Sequence, residues 1–224
     1  IQILGNLISR PYVEMTVSMM RYFGADVSKV SDGYVVGTRQ MTSPGTYAIE
    51  GDASGASYFL ALGALTGGPV RVVGIGRNSL QGDVHFADVL AQMGADVVYA
   101  DNAVEVSRKP GTTLRGISID CLAIPDAAMT FVPMALCTQG AVELTGIASW
   151  RVKETDRLEA MVCEMRKFGA RVSSGPDWIR VERASEVTAA RVATYSDHRM
   201  AMSFALAACA WIVTSPYKGA FPLI

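Results

Sequence analysis

The sequence predicts an α/β fold made of repeated strand-helix-strand-helix-strand-strand units, incomplete at both ends. Three observations predict it. Segments 14–36, 86–106 and 158–181 each read as an amphipathic helix, a Gly-Ala step, an alternating strand, a polar turn and a second strand. Gly24, Gly94 and Gly169 close the three helices, 70 and 75 residues apart. Shorter helices opening at GDAS (51–54) and PDAA (125–128), each followed by a strand, precede the second and third copies.

The elements follow in order. SRPY at 9–12 opens the first helix, with Ser9 as its cap and Pro11 in the first turn, where a missing N–H costs nothing. A glycine just past the last apolar residue ends each long helix, because it enters the left-handed region without strain. Apolar residues recur at helical spacing, as in Phe86, Val89, Leu90 and Met93, and again in Leu158, Met161, Val162 and Met165. Turns at 31–33, 101–102 and 175–177 fit hairpins. Two units read as complete, about 46–110 and 116–182, each with a leading strand. A partial unit precedes them, and a third helix of the shorter kind begins at Asp197. Repeats that bury their faces against one another come in closed or capped sets. The expectation is therefore a fragment, or a shortened relative, of a longer protein.

Composition narrows the function classes. The 224 residues carry 20 basic and 21 acidic side chains, a net charge of −1, and 50% of them are apolar. That excludes a disordered chain. It also argues against a general nucleic-acid or membrane-surface binder, since there is no basic excess. No apolar run reaches the roughly 18 residues of a membrane span, and the first residues read as a strand rather than a leader. Cys121, Cys137, Cys163 and Cys209 lie in apolar runs without CxxC spacing, which predicts free, buried thiols in a reducing compartment. With only His85 and His198 available, no zinc site is expected. GIGRN at 74–78 lacks the third glycine and the following acid of a dinucleotide loop. The methionines fall on apolar helix faces and read as core. The chain reads as a soluble cytosolic domain.

Charge placement is the functional signal. Cations avoid the first turn of a helix, where the macrodipole is already positive. Three predicted helix starts break that preference: Arg10 in SRP, RVKETDR at 151–157, and DHR at 197–199. An anion among them would receive backbone N–H groups, the dipole and charge-assisted hydrogen bonds together. Lys153 and Arg157, four residues apart, are expected on one helix face with Glu154 beside them. Taken alone, RVKETDR fits a solvated first turn, Asp197 a cap and His198 a surface residue. Asp52 reads as a cap only. Asp126 also makes a good cap, but its place beside the expected anion site raises it.

SRPY, EGDAS (50–54), IPDAAM (124–129), RVKETDR and DHRMAM (197–202), in that order, resemble the C-terminal half of the 5-enolpyruvylshikimate-3-phosphate synthases, bacterial glyphosate-sensitive type. The likeness spans residues 1 to about 210. It implies an inside-out α/β barrel of the enolpyruvyl transferase type, with helices inside and sheets outside. Residues 1–49 would end one domain and residues 50–224 would form most of the second. It further implies transfer of the enolpyruvyl group of phosphoenolpyruvate to the 5-hydroxyl of shikimate 3-phosphate, with phosphate released and no metal or organic cofactor. Asp126 then resembles the base for that hydroxyl, and Glu154 the group that moves a proton at the phosphoenolpyruvate methylene. Arg157 and Arg199, with His198 adjacent, resemble phosphoenolpyruvate clamps. Ser9, Tyr12 and Lys153 resemble shikimate-3-phosphate contacts.

Departures from the family pattern are also visible. Ser149 stands where close relatives carry asparagine at a substrate contact. Lys218 lies one place out of register with the family's terminal lysine ligand. The family's Gly-Ser-Lys-Ser, Asn-Ala-Gly-Thr and Ser-Ala-Gln stretches have no counterpart in the sequence. The lone chain is therefore expected to show low or no activity unless a complementing N-terminal half or a second copy completes the cleft. The alternatives are a non-catalytic anion-binding module and a UDP-N-acetylglucosamine enolpyruvyl transferase. RVKETDR and IPDAAM speak against the latter, as does the lack of a reactive cysteine loop.

Overall fold

The computed structural model describes residues 1–5, 7–183 and 185–214, with side chains described through residue 209. Helix α1 (Arg10–Tyr22) leads into a hairpin of β1 (Val27–Val30) and β2 (Gly33–Val36). Helix α2 (Ala53–Thr66), β3 (Val70–Val73), α3 (Phe86–Met93), β4 (Asp96–Ala100) and β5 (Ala103–Ser107) form the next unit, whose sheet runs β3-β5-β4. The following unit is β6 (Arg115–Asp120), the short helix α4 (Phe131–Met134), β7 (Gln139–Thr145), α5 (Arg157–Lys167), β8 (Arg171–Ser174) and β9 (Ile179–Glu182). Its sheet runs β6-β7-β9-β8, with β6 and β7 parallel and the other pairs antiparallel. Helix α6 (His198–Thr214) follows.

Helices share the inside and sheets the outside. Helix α2 is apolar almost all round, as a central helix must be, and packs on α6, β3 and β5. At Gly63 a β-carbon would stand 2.4 Å from the Val106 carbonyl oxygen, so only glycine lets α2 approach β5 this closely. One contiguous apolar core runs from α2 through α6, including Leu60, Phe86, Phe131, Trp150, Phe168 and Phe204. A separate small cluster of Val17, Val27 and Tyr34 holds α1 to its hairpin.

Several expectations need correction. No leading strand forms at residues 46–50: that segment is irregular, and Gly51 after it is tied by its N–H to the Gly74 carbonyl at 2.7 Å. The helix expected from Pro125 is broken into 3₁₀ turns at Ala127–Thr130 and Ala135–Cys137 flanking the four-residue α4. Pro133 inside it has no N–H to donate, which caps its length. RVKETDR does not open α5. Its first part ends a 3₁₀ turn, Ala148–Val152, pinned by the buried Trp150, whose indole donates to the Pro125 carbonyl at 2.7 Å. The helix starts only at Arg157, because Asp156 caps it by accepting from Glu159 N at 3.0 Å. Ser9 precedes α1 with φ 55°, but its hydroxyl makes no capping bond. The glycine helix ends hold: Gly24, Gly94 and Gly169 have φ of 83°, 106° and 80°. All four cysteines are free, yet only Cys121 is fully buried and Cys209 is exposed.

Candidate functional site

Three segments distant in sequence converge on one carboxylate. Asp126 lies at the turn after β6, Lys153 and Arg157 flank the start of α5, and Arg199 sits in the first turn of α6. Asp126 Oδ1 is 3.2 Å from both Lys153 Nζ and Arg157 Nη1, and its Oδ2 is 3.3 Å from Arg199 Nη2. Its side chain makes no capping bond, contrary to the cap reading.

Arg157 is the hub. It is 1% exposed, and a charge that deep persists only with partners. Its Nε donates to Asp197 Oδ2 at 2.7 Å and its Nη2 to Glu154 Oε2 at 2.5 Å, while Nη1 holds Asp126. Asp197, read as a cap, does both jobs: its Oδ1 also accepts from Arg199 N at 2.8 Å. Burial pushes the Asp197 carboxyl up, but the Arg157 guanidinium and the backbone amides of Arg199 and Met200 outweigh it and hold it below the usual range. Arg199 is raised despite its burial, chiefly by Asp126.

A second network adjoins the first. Asp83, 3% exposed, accepts from the Tyr12 hydroxyl at 2.8 Å and from the Ser54 hydroxyl, while its Oδ1 has no partner among the described residues. Burial raises the Asp83 carboxyl and the Tyr12 phenol, and the Asp126 charge adds to both shifts. Pro11 rests on Gly82, where a β-carbon would lie 2.5 Å from the proline Cβ, so α1 is seated directly beside Asp83.

Of the residues proposed from sequence, Asp126, Glu154, Lys153, Arg157 and Arg199 come together, with Tyr12 in the adjoining network. His198 lies at the edge, its ring 61% exposed and its Nδ1 3.9 Å from Asp197 Oδ1. Ser149 Oγ is buried without a partner among the described residues. Lys218 lies outside the described residues. Two cations of the signal fall elsewhere: Arg10 is exposed, and Arg151 is tied to Asp156 and to the carbonyls of Gly175 and Pro176. Sequence reasoning missed Asp83, Ser54 and Glu164. A cleft of about 530 Å³ between α1 and the strandless 47–52 segment is lined by Met15, Met19, Phe23, Tyr47 and Ile49. Glu50, Asp52 and Gln81 also line it, and none of Asp126, Lys153, Arg157 and Arg199 does. No helix among the described residues is long and apolar enough to cross a membrane.

Comparison with known proteins decides the kinship. The family model for EPSP synthase (3-phosphoshikimate 1-carboxyvinyltransferase) matches residues 1–215. The chain belongs to the EPSP synthase family. It is 51% identical over 210 residues to the 3-phosphoshikimate 1-carboxyvinyltransferase of Edwardsiella ictaluri, covering 93% of this chain and 48% of that protein. The corresponding protein of Laribacter hongkongensis is 50% identical over 215 residues, covering 94% and 50%. The chain thus spans about half the length of the curated relatives it matches. Among solved structures, EPSP synthase from Acinetobacter baumannii superposes with a TM-score of 0.68 at 28% identity, over 86% of this chain and 47% of that one. The enolpyruvyl transferase NikO from Streptomyces tendae gives 0.68 at 19% identity, covering 91% of this chain and 47% of NikO, a likeness of fold alone. The EPSP synthase fold, an inside-out α/β barrel, is therefore the architecture to which these helices and sheets belong.

Proposed function

We propose that this chain carries one face of an enolpyruvyl transfer site, moving the enolpyruvyl group of phosphoenolpyruvate to the 5-hydroxyl of shikimate 3-phosphate. The observation that carries it is the convergence of Lys153, Arg157 and Arg199 within 3.3 Å of Asp126. Both substrates are multiply charged anions, and cations on a shared carboxylate are the donors such anions seek. On binding, the anions take over part of the guanidinium and ammonium contacts that Asp126 now holds.

Asp126 then accepts the 5-hydroxyl proton as that oxygen bonds to C2 of phosphoenolpyruvate, and Glu154 delivers a proton to C3. The Glu154 carboxylate then takes a C3 proton back, restoring the double bond as the bond from C2 to the phosphate oxygen breaks and phosphate leaves. Two carboxyl groups with different partners suit an addition followed by an elimination. Arg157 and Arg199 clamp phosphoenolpyruvate with His198 at the edge. Ser9, Tyr12, Ser149 and Lys153 face shikimate 3-phosphate.

Residues 1–49 finish one domain and 50–224 make most of the next, a division supported by the separate apolar cluster of α1 and its hairpin. Full turnover needs a complementing half or a second copy to close over the anions and expel water. A second reading, anion binding without turnover, rests on Lys153 and Arg199: among the described residues their ion pairs are with Asp126 alone, so an anion can draw both off while Arg157 keeps Glu154 and Asp197.

Phosphate release from both substrates, measured for the chain alone and with a complementing half, tests the first reading. Asp126→Ala is expected to cut the rate about 10²-fold or more, the usual worth of a positioned base. Equal rates in the two proteins remove the transferase reading and leave the binding one.

A further inference from the structure

We propose that Glu164 is a positioning residue for the anion cluster: from within α5 it fixes the loop whose left-handed residues deliver Asp197 and Arg199 to Arg157 and Asp126. The inference rests on the anion-site reading above. Glu164 is fully buried, 0% exposed, an unusual place for a carboxylate. It is also fully engaged. It accepts from Lys167 Nζ at 2.8 and 2.7 Å, from Ala193 N at 3.2 Å and from the Tyr195 hydroxyl at 2.8 Å. An i,i+3 ion pair with a half-exposed lysine gives no reason to bury the acid. The two bonds to the loop do.

What that loop does next is the second observation. Tyr195 and Ser196 have φ of 56° and 55°, consecutive left-handed residues that both carry a β-carbon. Such conformations persist only where the surroundings dictate them. The turn is closed by Asp197 N–H to the Thr194 carbonyl at 2.9 Å, and the very next contacts are Asp197 to Arg157 at 2.7 Å and to Arg199 N at 2.8 Å.

Arg157 and Glu164 are seven residues apart on α5, two turns and therefore one face, about 10 Å along the axis. The helix thus grips residues 193–199 at two points. Arg157 holds the far end, where the anion chemistry is. Glu164 holds the near end and fixes the backbone that aims it. Glu164 touches neither Asp126 nor Arg199, so its action is through the loop.

The test uses the full chain, with inorganic phosphate as the probe and two ligand-free readouts: thermal midpoint and the NMR resonance of the Arg157 Nε–H. Glu164→Gln removes the charge while keeping the shape, and is expected to weaken phosphate binding about tenfold. Tyr195→Phe removes one loop bond at a half-exposed position and should weaken it about threefold. In both, the Arg157 Nε–H resonance should shift or broaden as the Asp197 contact loosens. Val181→Ala, a core truncation in β9 outside residues 193–199, supplies a stability control: it should lower the midpoint and leave affinity and resonance in place. An unchanged Arg157 resonance in both variants overturns the proposal, as does an affinity loss no larger than that of the control. Absence of phosphate binding by the parent chain overturns the anion-site reading instead, and the resonance still decides the role of Glu164.

Discussion

The units at 51–107 and 115–182 share a plan and differ in what their helix openings do. In the first, Asp52 caps α2 by accepting from Ser54 N at 2.9 Å, and the opening before α3 carries Asp83, buried between two hydroxyls. In the second, the corresponding Asp126 makes no capping bond, and the loop before α5 brings Lys153 and Arg157 onto it. One scaffold therefore supports two electrostatic outcomes. Asp52 in the first unit is spent locally on a helix cap; Asp126 in the second is left for long-range cations to share. The difference comes from the side chains at the openings, since both units keep the same order of helix and hairpin.

The largest way to break the contrast is at its hub. Arg157→Met should strand Asp197 as an unpaired buried charge and destabilise the fold by about 3–5 kcal/mol, read by urea unfolding. A loss under about 1 kcal/mol would mean that Arg157 is no hub. Asp52→Ala in the first unit should cost about 1 kcal/mol of a helix cap and leave phosphate affinity unchanged in titration. A drop in affinity there would erase the distinction between the units.

The mildest test sharpens the comparison by pH. Asp83 is raised above its ordinary value of 3.8 by burial, so the fold favours its protonated form. Its contribution to stability is present below about pH 4 and is lost as pH climbs through the raised value. Asp83→Asn should thus raise the melting temperature at pH 8 and change it little at pH 4. Asp197 has the opposite sign: held low, it stabilises above the ordinary aspartate range and loses that as pH falls through its lowered value. A matching scan of Asp197→Asn should show its deficit at neutral pH, shrinking in acid.

Much of this was legible in the sequence because the signals are local. Helix, Gly-Ala step and hairpin repeat at short range, and Gly24, Gly94 and Gly169 mark the helix ends by backbone need alone. The cationic cluster was legible as composition, though not as geometry. Asp156 took the cap and moved the helix start to Arg157, so Lys153 reaches Asp126 from a loop instead of a helix face. Asp83 was invisible because its partners lie 29 and 71 residues away, and nothing near it in sequence announces burial. The leading strand before Gly51 failed for a related reason: a repeat plan calls for a strand there but cannot supply its neighbour.

Pro11 on Gly82 has a last implication. With no side chain between them, ring meets backbone, and the spacing of the first helix from the repeats is set by one hydrogen atom. An alanine at that spot would work as a shim, lifting Tyr12 off its acid and widening the approach to the charged cluster by about the breadth of a methyl group.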